Sequence, residues 1–175
     1  MTKKTILTAT GQNNIDFTVK KFSNYSVVGV VDSKDELCKK CKQYNPDILL
    51  VGEGLFGTMP LAGILLQITR DFPNIRIIYL TGHVDMNDKG KIDSLALLVM
   101  SGVYDIIHEK QITVQMLKEA IDNPKKEEDV SYIVKASNKI NSNHNEISGI
   151  DFIIPEEYEE KKDDNIRDNL FIVSS

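Results

Sequence analysis

The chain has 175 residues, with 26 acidic against 21 basic side chains and a formal net charge of −5; this length suits one domain with a tail, since domains run to roughly 100–200 residues. At 41% apolar and 27% charged, the composition is that of a globular protein that buries a core without disulfide or metal staples. The acidic excess argues against binding nucleic acid through bulk charge, and the longest apolar run, Leu95 to Met100, is far short of the roughly 20 residues of a membrane span.

The opening segment, Met1 to Leu7, carries two lysines but no apolar h-region, so a secretory signal is not expected and the cytoplasm is. Thr5 to Thr10 then reads as a strand, and Ile15, Val19 and Phe22 mark one face of a helix. Ser26 to Val31 is a second strand. Asp32 or Ser33 caps the next helix, whose core face is Leu37, Cys38, Cys41 and Tyr44, and Pro46 ends it. Asp47 to Val51 follows as a continuous apolar run ended by Gly52, as suits a strand buried on both faces of a parallel sheet. A helix from about Pro60 to Asp71, a strand from Arg76 to Leu80, and a helix from about Lys91 to Ser101 stopped by Gly102 follow. Tyr104 to His108 is a short strand and Thr113 to Ile121 a fifth helix. Alternation of this kind predicts an α/β fold, a doubly wound five-stranded parallel sheet of the flavodoxin/CheY-like type with helices on both faces. Its chemistry belongs at the carboxyl ends of the strands.

Beyond Asp122 the texture changes. Residues 1–122 read as the domain, 123–165 as a charged linker, and 166–175 as the possible first strand of a further domain. Within the linker, two apolar islands, Tyr132 to Ile140 and Ile150 to Ile154, suggest a short helix and a strand.

The stretches Pro46-Asp47-Ile48-Leu49-Leu50-Val51, Ile77-Ile78-Tyr79-Leu80-Thr81 and Ser101-Gly102-Val103-Tyr104-Asp105 resemble the receiver (CheY-like) domain of two-component signalling. Carried across position by position, the family's catalytic set mostly fails. Its acidic pair falls on Thr10 and Gly11, its phosphoacceptor aspartate on Gly52 beside Glu53, and its lysine on Glu109, while its hydroxyl is matched by Thr81. Phosphoryl transfer requires a nucleophilic carboxylate, a divalent cation on hard oxygens and a cation at the transferred oxygens. Glycine supplies no nucleophile, and replacing the lysine by a carboxylate adds repulsion of roughly 4 kcal/mol at about 4 Å and an effective dielectric near 20. Lys110, one position on, would restore a cation if the alignment slipped by one residue.

A degenerate receiver followed by a linker and a terminal apolar strand is similar to the N-terminal part of TadZ/CpaE proteins. In that family such a domain precedes a ParA/MinD-type ATPase and the whole directs pilus or secretion assembly. The resemblance makes Leu170 to Ser175 the first ATPase strand, although no G-x-x-x-x-G-K-[ST] loop occurs here. It implies a non-phosphorylatable, non-enzymatic module for protein interaction, localisation and dimerisation. Its partners would be a second copy and a downstream ATPase domain, with no nucleic acid, no membrane insertion and no cofactor. Two readings compete: a phosphoacceptor response-regulator receiver using Glu53 or another acid, and a flavodoxin-like cofactor binder.

Other features have plainer accounts. Cys38 and Cys41 lie mid-helix, away from the helix start where a thiol is activated, and His83, His108 and His144 show no ligand spacing. The Gly52 to Gly57 cluster reads as a loop, and Asp85, Asp88 and Asp93 as helix-start acids. The fourth helix is unusual in that apolar residues wrap most of it. Its Ile92, Leu95, Leu98 and Val99 are therefore the candidate interface with a partner, the alternative being that the linker folds over them.

Overall fold

A computed structural model describes residues 2–147. Five parallel strands, β1 (Lys4–Ala9), β2 (Tyr25–Val30), β3 (Ile48–Gly52), β4 (Arg76–Leu80) and β5 (Asp105–Ile107), lie in the order β2-β1-β3-β4-β5. Between and after them run α1 (Asn13–Lys20), α2 (Leu37–Tyr44), α3 (Leu61–Asp71), α4 (Lys89–Met100), α5 (Val114–Asp122) and α6 (Glu127–Ile147). The order follows from strand composition. β3 is buried along its whole length, so it takes the centre, paired with β1 through Ile6↔Ile48 and with β4 through Ile48↔Arg76. Successive side chains alternate between two cores. Leu7, Ala9, Leu49, Val51, Ile77 and Tyr79 face α2, α3 and α4, whereas Ile6, Ile48, Leu50, Ile78 and Leu80 face α1 and α5.

Local signals end the helices where the sequence predicts. Gly102 takes a φ of 98°, and the Val103 amide reaches back to the Leu98 carbonyl, closing α4. Asn45, left-handed at φ 41°, closes α2 ahead of Pro46. On α2, Leu37 and Cys41 are fully buried, Cys38 is half-buried, and Tyr44 sits at the exposed edge. Burial pushes the Cys41 thiol up to about 12, as befits a core residue.

Two expectations are corrected. The segment expected as charged linker contains the 21-residue helix α6, far longer than the apolar island suggested. Val130 and Ile133 join the α3–α4 core, with Val134, Ala136 and Ile140 partly buried against it, while Ser137 donates to Asp93 of α4 at 2.6 Å. Ile92, Leu95, Leu98 and Val99, expected as a partner interface, are core residues no more than 2% exposed. α4 is apolar nearly all round because it lies within a core to which α6 also contributes; Leu97 and Met100 are the large apolar residues it leaves exposed. The strands expected at Ile150 to Ile154 and at 166–175 lie outside the described residues. No helix among the described residues is long and apolar enough to cross a membrane.

At the opposite end of the sheet from the carboxyl rim, Arg76 forks onto both oxygens of Asp105 at 2.8 Å and donates to the carbonyls of Ala120 and Ile121. It thereby joins β4, β5 and the last turn of α5, whose carbonyls have no partner within the helix. The Lys125 amide adds a third donor to Asp105, so the entry to α6 hangs on the same carboxylate. Arg76→Gln leaves Asp105 buried without its cation and is expected to lower stability by about 3 kcal/mol, read from the urea midpoint.

Candidate functional site

The cleft at the carboxyl rim gathers the residues that the sequence marks. Thr10, Gly52, Glu53, Thr81 and Glu109 line a depression of about 190 Å³ with Gln12, Asn14, Gly54 and Lys110. Gly11 stands beside it in the β1–α1 turn, and both Glu109 and the neighbouring Lys110 reach the rim. His83 is exposed in the following loop and does not line the cleft. Asp88 caps α4 by accepting from the Lys91 amide at 3.1 Å, as expected of a helix-start acid.

The backbone decides the shape of this cleft. Gly11 has a φ of 71°, and a Cβ built on it would lie 2.4 Å from the Gly54 carbonyl oxygen. A Cβ on Gly52 would lie 2.5 Å from the Thr10 carbonyl oxygen. The ends of β1 and β3 therefore meet backbone to backbone, and side chains at these two positions are excluded by contact as well as by identity. The Thr10 hydroxyl donates to Asp16 at 2.8 Å, which draws that buried carboxylate into fixing the turn. Thr81 is 5% exposed and its hydroxyl donates to the next carbonyl, of Gly82, at 2.8 Å.

Glu53 turns toward α4. Its carboxylate accepts from the Tyr79 hydroxyl and lies 3.2 Å from Lys91 Nζ. Lys91 Nζ also stands 3.5 Å from the Tyr79 oxygen and 5.7 Å from the centre of its ring. Burial, helped by the Glu53 carboxylate, pushes the Tyr79 phenol well above its ordinary range. These three side chains border a second groove of about 320 Å³ between α3 and α4. Sequence reasoning picked out Glu53 but not Tyr79, Lys91 or Asp16. The available signal was a phenol in the otherwise aliphatic strand Ile77-Ile78-Tyr79-Leu80, because a buried tyrosine hydroxyl requires a partner.

No family model matches the sequence. The isolated receiver domain of RcsB from Salmonella enterica serovar Typhimurium superimposes with a TM-score of 0.57 at 16% identity, covering 76% of this chain and 99% of that one. The chain has the receiver fold. The receiver domain of a modulated diguanylate cyclase from Desulfovibrio desulfuricans is similar with a TM-score of 0.55 at 17% identity, over 81% of this chain and 97% of that one. A longer form of the Salmonella RcsB response regulator matches with a TM-score of 0.59 at 17% identity, over 91% and 84%. In sequence, the DNA double-strand break repair protein Mre11 of Sulfolobus acidocaldarius is 30% identical over 90 residues. The match takes in 51% of this chain but only 24% of that protein's length.

The receiver-like domain thus keeps the rim of its fold and fills two of its positions with backbone. Gly52→Asp, which supplies a carboxylate at the acceptor position, is expected to force β1 and β3 apart and to lower stability by about 1–3 kcal/mol. Gly54→Ala, whose Cβ would stand 3.7 Å from the Thr10 oxygen, is the control with little loss; urea denaturation of the two variants checks the difference.

Proposed function

We propose that this receiver-like domain forms no phosphoaspartate and acts by contact, as a localisation and dimerisation module of a cytoplasmic protein. The observation that carries this reading is the approach of Gly52 to the Thr10 carbonyl, which leaves the acceptor position neither a nucleophile nor room for one. Two further features support it. Glu53, the nearest carboxylate in sequence, is engaged by Tyr79 and Lys91, and Glu109 stands beside Lys110 at the cleft, offsetting the cation that transferred oxygens would need. In this reading the chain is the N-terminal part of a TadZ/CpaE-like protein whose ATPase domain lies further along, and the module positions that ATPase at a pilus or secretion assembly site. The resemblance of Leu170 to Ser175 to a first ATPase strand supports the assignment.

Incubation with magnesium and acetyl phosphate, or with beryllofluoride, is expected to add no phosphoryl mass and to leave the amide resonances around Gly52 unmoved. Labelling of Glu53 or another rim carboxylate would instead establish a phosphoacceptor receiver. Pairing with a second copy is assigned to the outer side of α4, where Leu97 and Met100 are 51% and 71% exposed. Leu97→Asp is accordingly expected to halve the mass seen by light scattering while the circular dichroism spectrum stays native; an unchanged mass would refute this surface.

A further inference from the structure

We propose that α4 is a rigid relay that couples the rim carboxylate Glu53 to helix α6. The first two turns of α4 carry Lys91 and Asp93, two residues apart and so about 200° apart around the helix axis. Lys91 reaches one way, to Glu53 at the end of β3 and Tyr79 on β4. Asp93 reaches another, accepting from Ser137 at 2.6 Å and Asn141 at 3.5 Å on α6, while Lys89 steadies it from its own helix at 2.6 Å.

Between these contacts the helix has little freedom to deform. Ile92, Leu95, Ala96, Leu98 and Val99 are all buried, and a close-packed core resists continuous distortion, so α4 shifts or turns as a unit. Displacement of Lys91 is therefore felt at Asp93. The two ends differ in access: the Glu53 side chain is 47% exposed and that of Asp93 31%, whereas Ser137, on the inner face of α6, is 7% exposed. A protein carboxylate presented at the rim can compete with Glu53 for Lys91. The relay thus links the rim to α6. It holds whether or not the rim accepts phosphate, so the phosphorylation experiment leaves it untouched.

Hydrogen–deuterium exchange on the full 175-residue chain tests the coupling. Glu53→Gln weakens the pair with Lys91 and is expected to speed exchange of the α6 amides about fivefold or more. Ser137→Ala, which cuts the other end, is expected to do the same. Because both act on one mechanical element, the double variant should exchange no faster in α6 than the faster single variant. Unchanged α6 exchange in Glu53→Gln overturns the proposal. So does a double variant whose effect is the product of the two single effects, or acceleration spread equally over β1 and β3, which would mean general destabilisation.

Discussion

Backbone-to-backbone contact between the ends of β1 and β3 is the constraint on which the site depends. A Cβ on Gly11 would meet the Gly54 carbonyl, and one on Gly52 the Thr10 carbonyl, so closely that main chain would have to move. Main chain is the least compliant obstacle a substitution can meet, since moving it breaks the strand ladder that pairs Ile6 to Ala9 with Ile48 to Val51. A depression remains at the rim, lined by peptide groups, threonine hydroxyls already engaged, the amides of Gln12 and Asn14, and the mixed charges of Glu53, Glu109 and Lys110.

A second organising element is α6, which extends the fold beyond the five repeating units. β5 is the edge of the sheet, and an uncovered edge presents unpaired peptide groups. Here Lys125 donates from Nζ to the Ile106 carbonyl, and from its amide to Asp105. Tyr132 of α6 contacts His108 just past the strand. α6 thus serves the edge of the sheet and α4 together, and its removal would expose both at once.

The structural relatives are receiver domains at 16–17% identity, a level at which the fold is shared and the chemistry must be argued from the residues present. At this rim stand Thr81, Gly52 and Glu53, and Glu53 links β3 to Tyr79 of β4 and Lys91 of α4. In this chain an ion pair between Glu53 and Lys91 ties the end of β3 to α4.

Much of this was legible in the sequence because it is local. The apolar run from Ile48 to Val51, the Gly102 stop of α4, and the Asn45-Pro46 end of α2 follow from backbone preferences and from periods of two and 3.6 residues that involve only near neighbours. That position 52 carries no side chain was likewise plain from one glycine. The excess apolar surface of α4 was visible too, and so was a folded-over linker as the alternative to a partner, but the residues that form the cover were not. Val130, Ile133, Val134 and Ile140 are interspersed with charged and polar residues that read as linker, and they find α4 only once β5 and α5 have brought the chain back past it. The direction of Glu53, the burial of Tyr79 and the closure of the rim were decided by tertiary structure, because each depends on residues about 26 to 43 positions distant in the chain that meet only when the sheet forms.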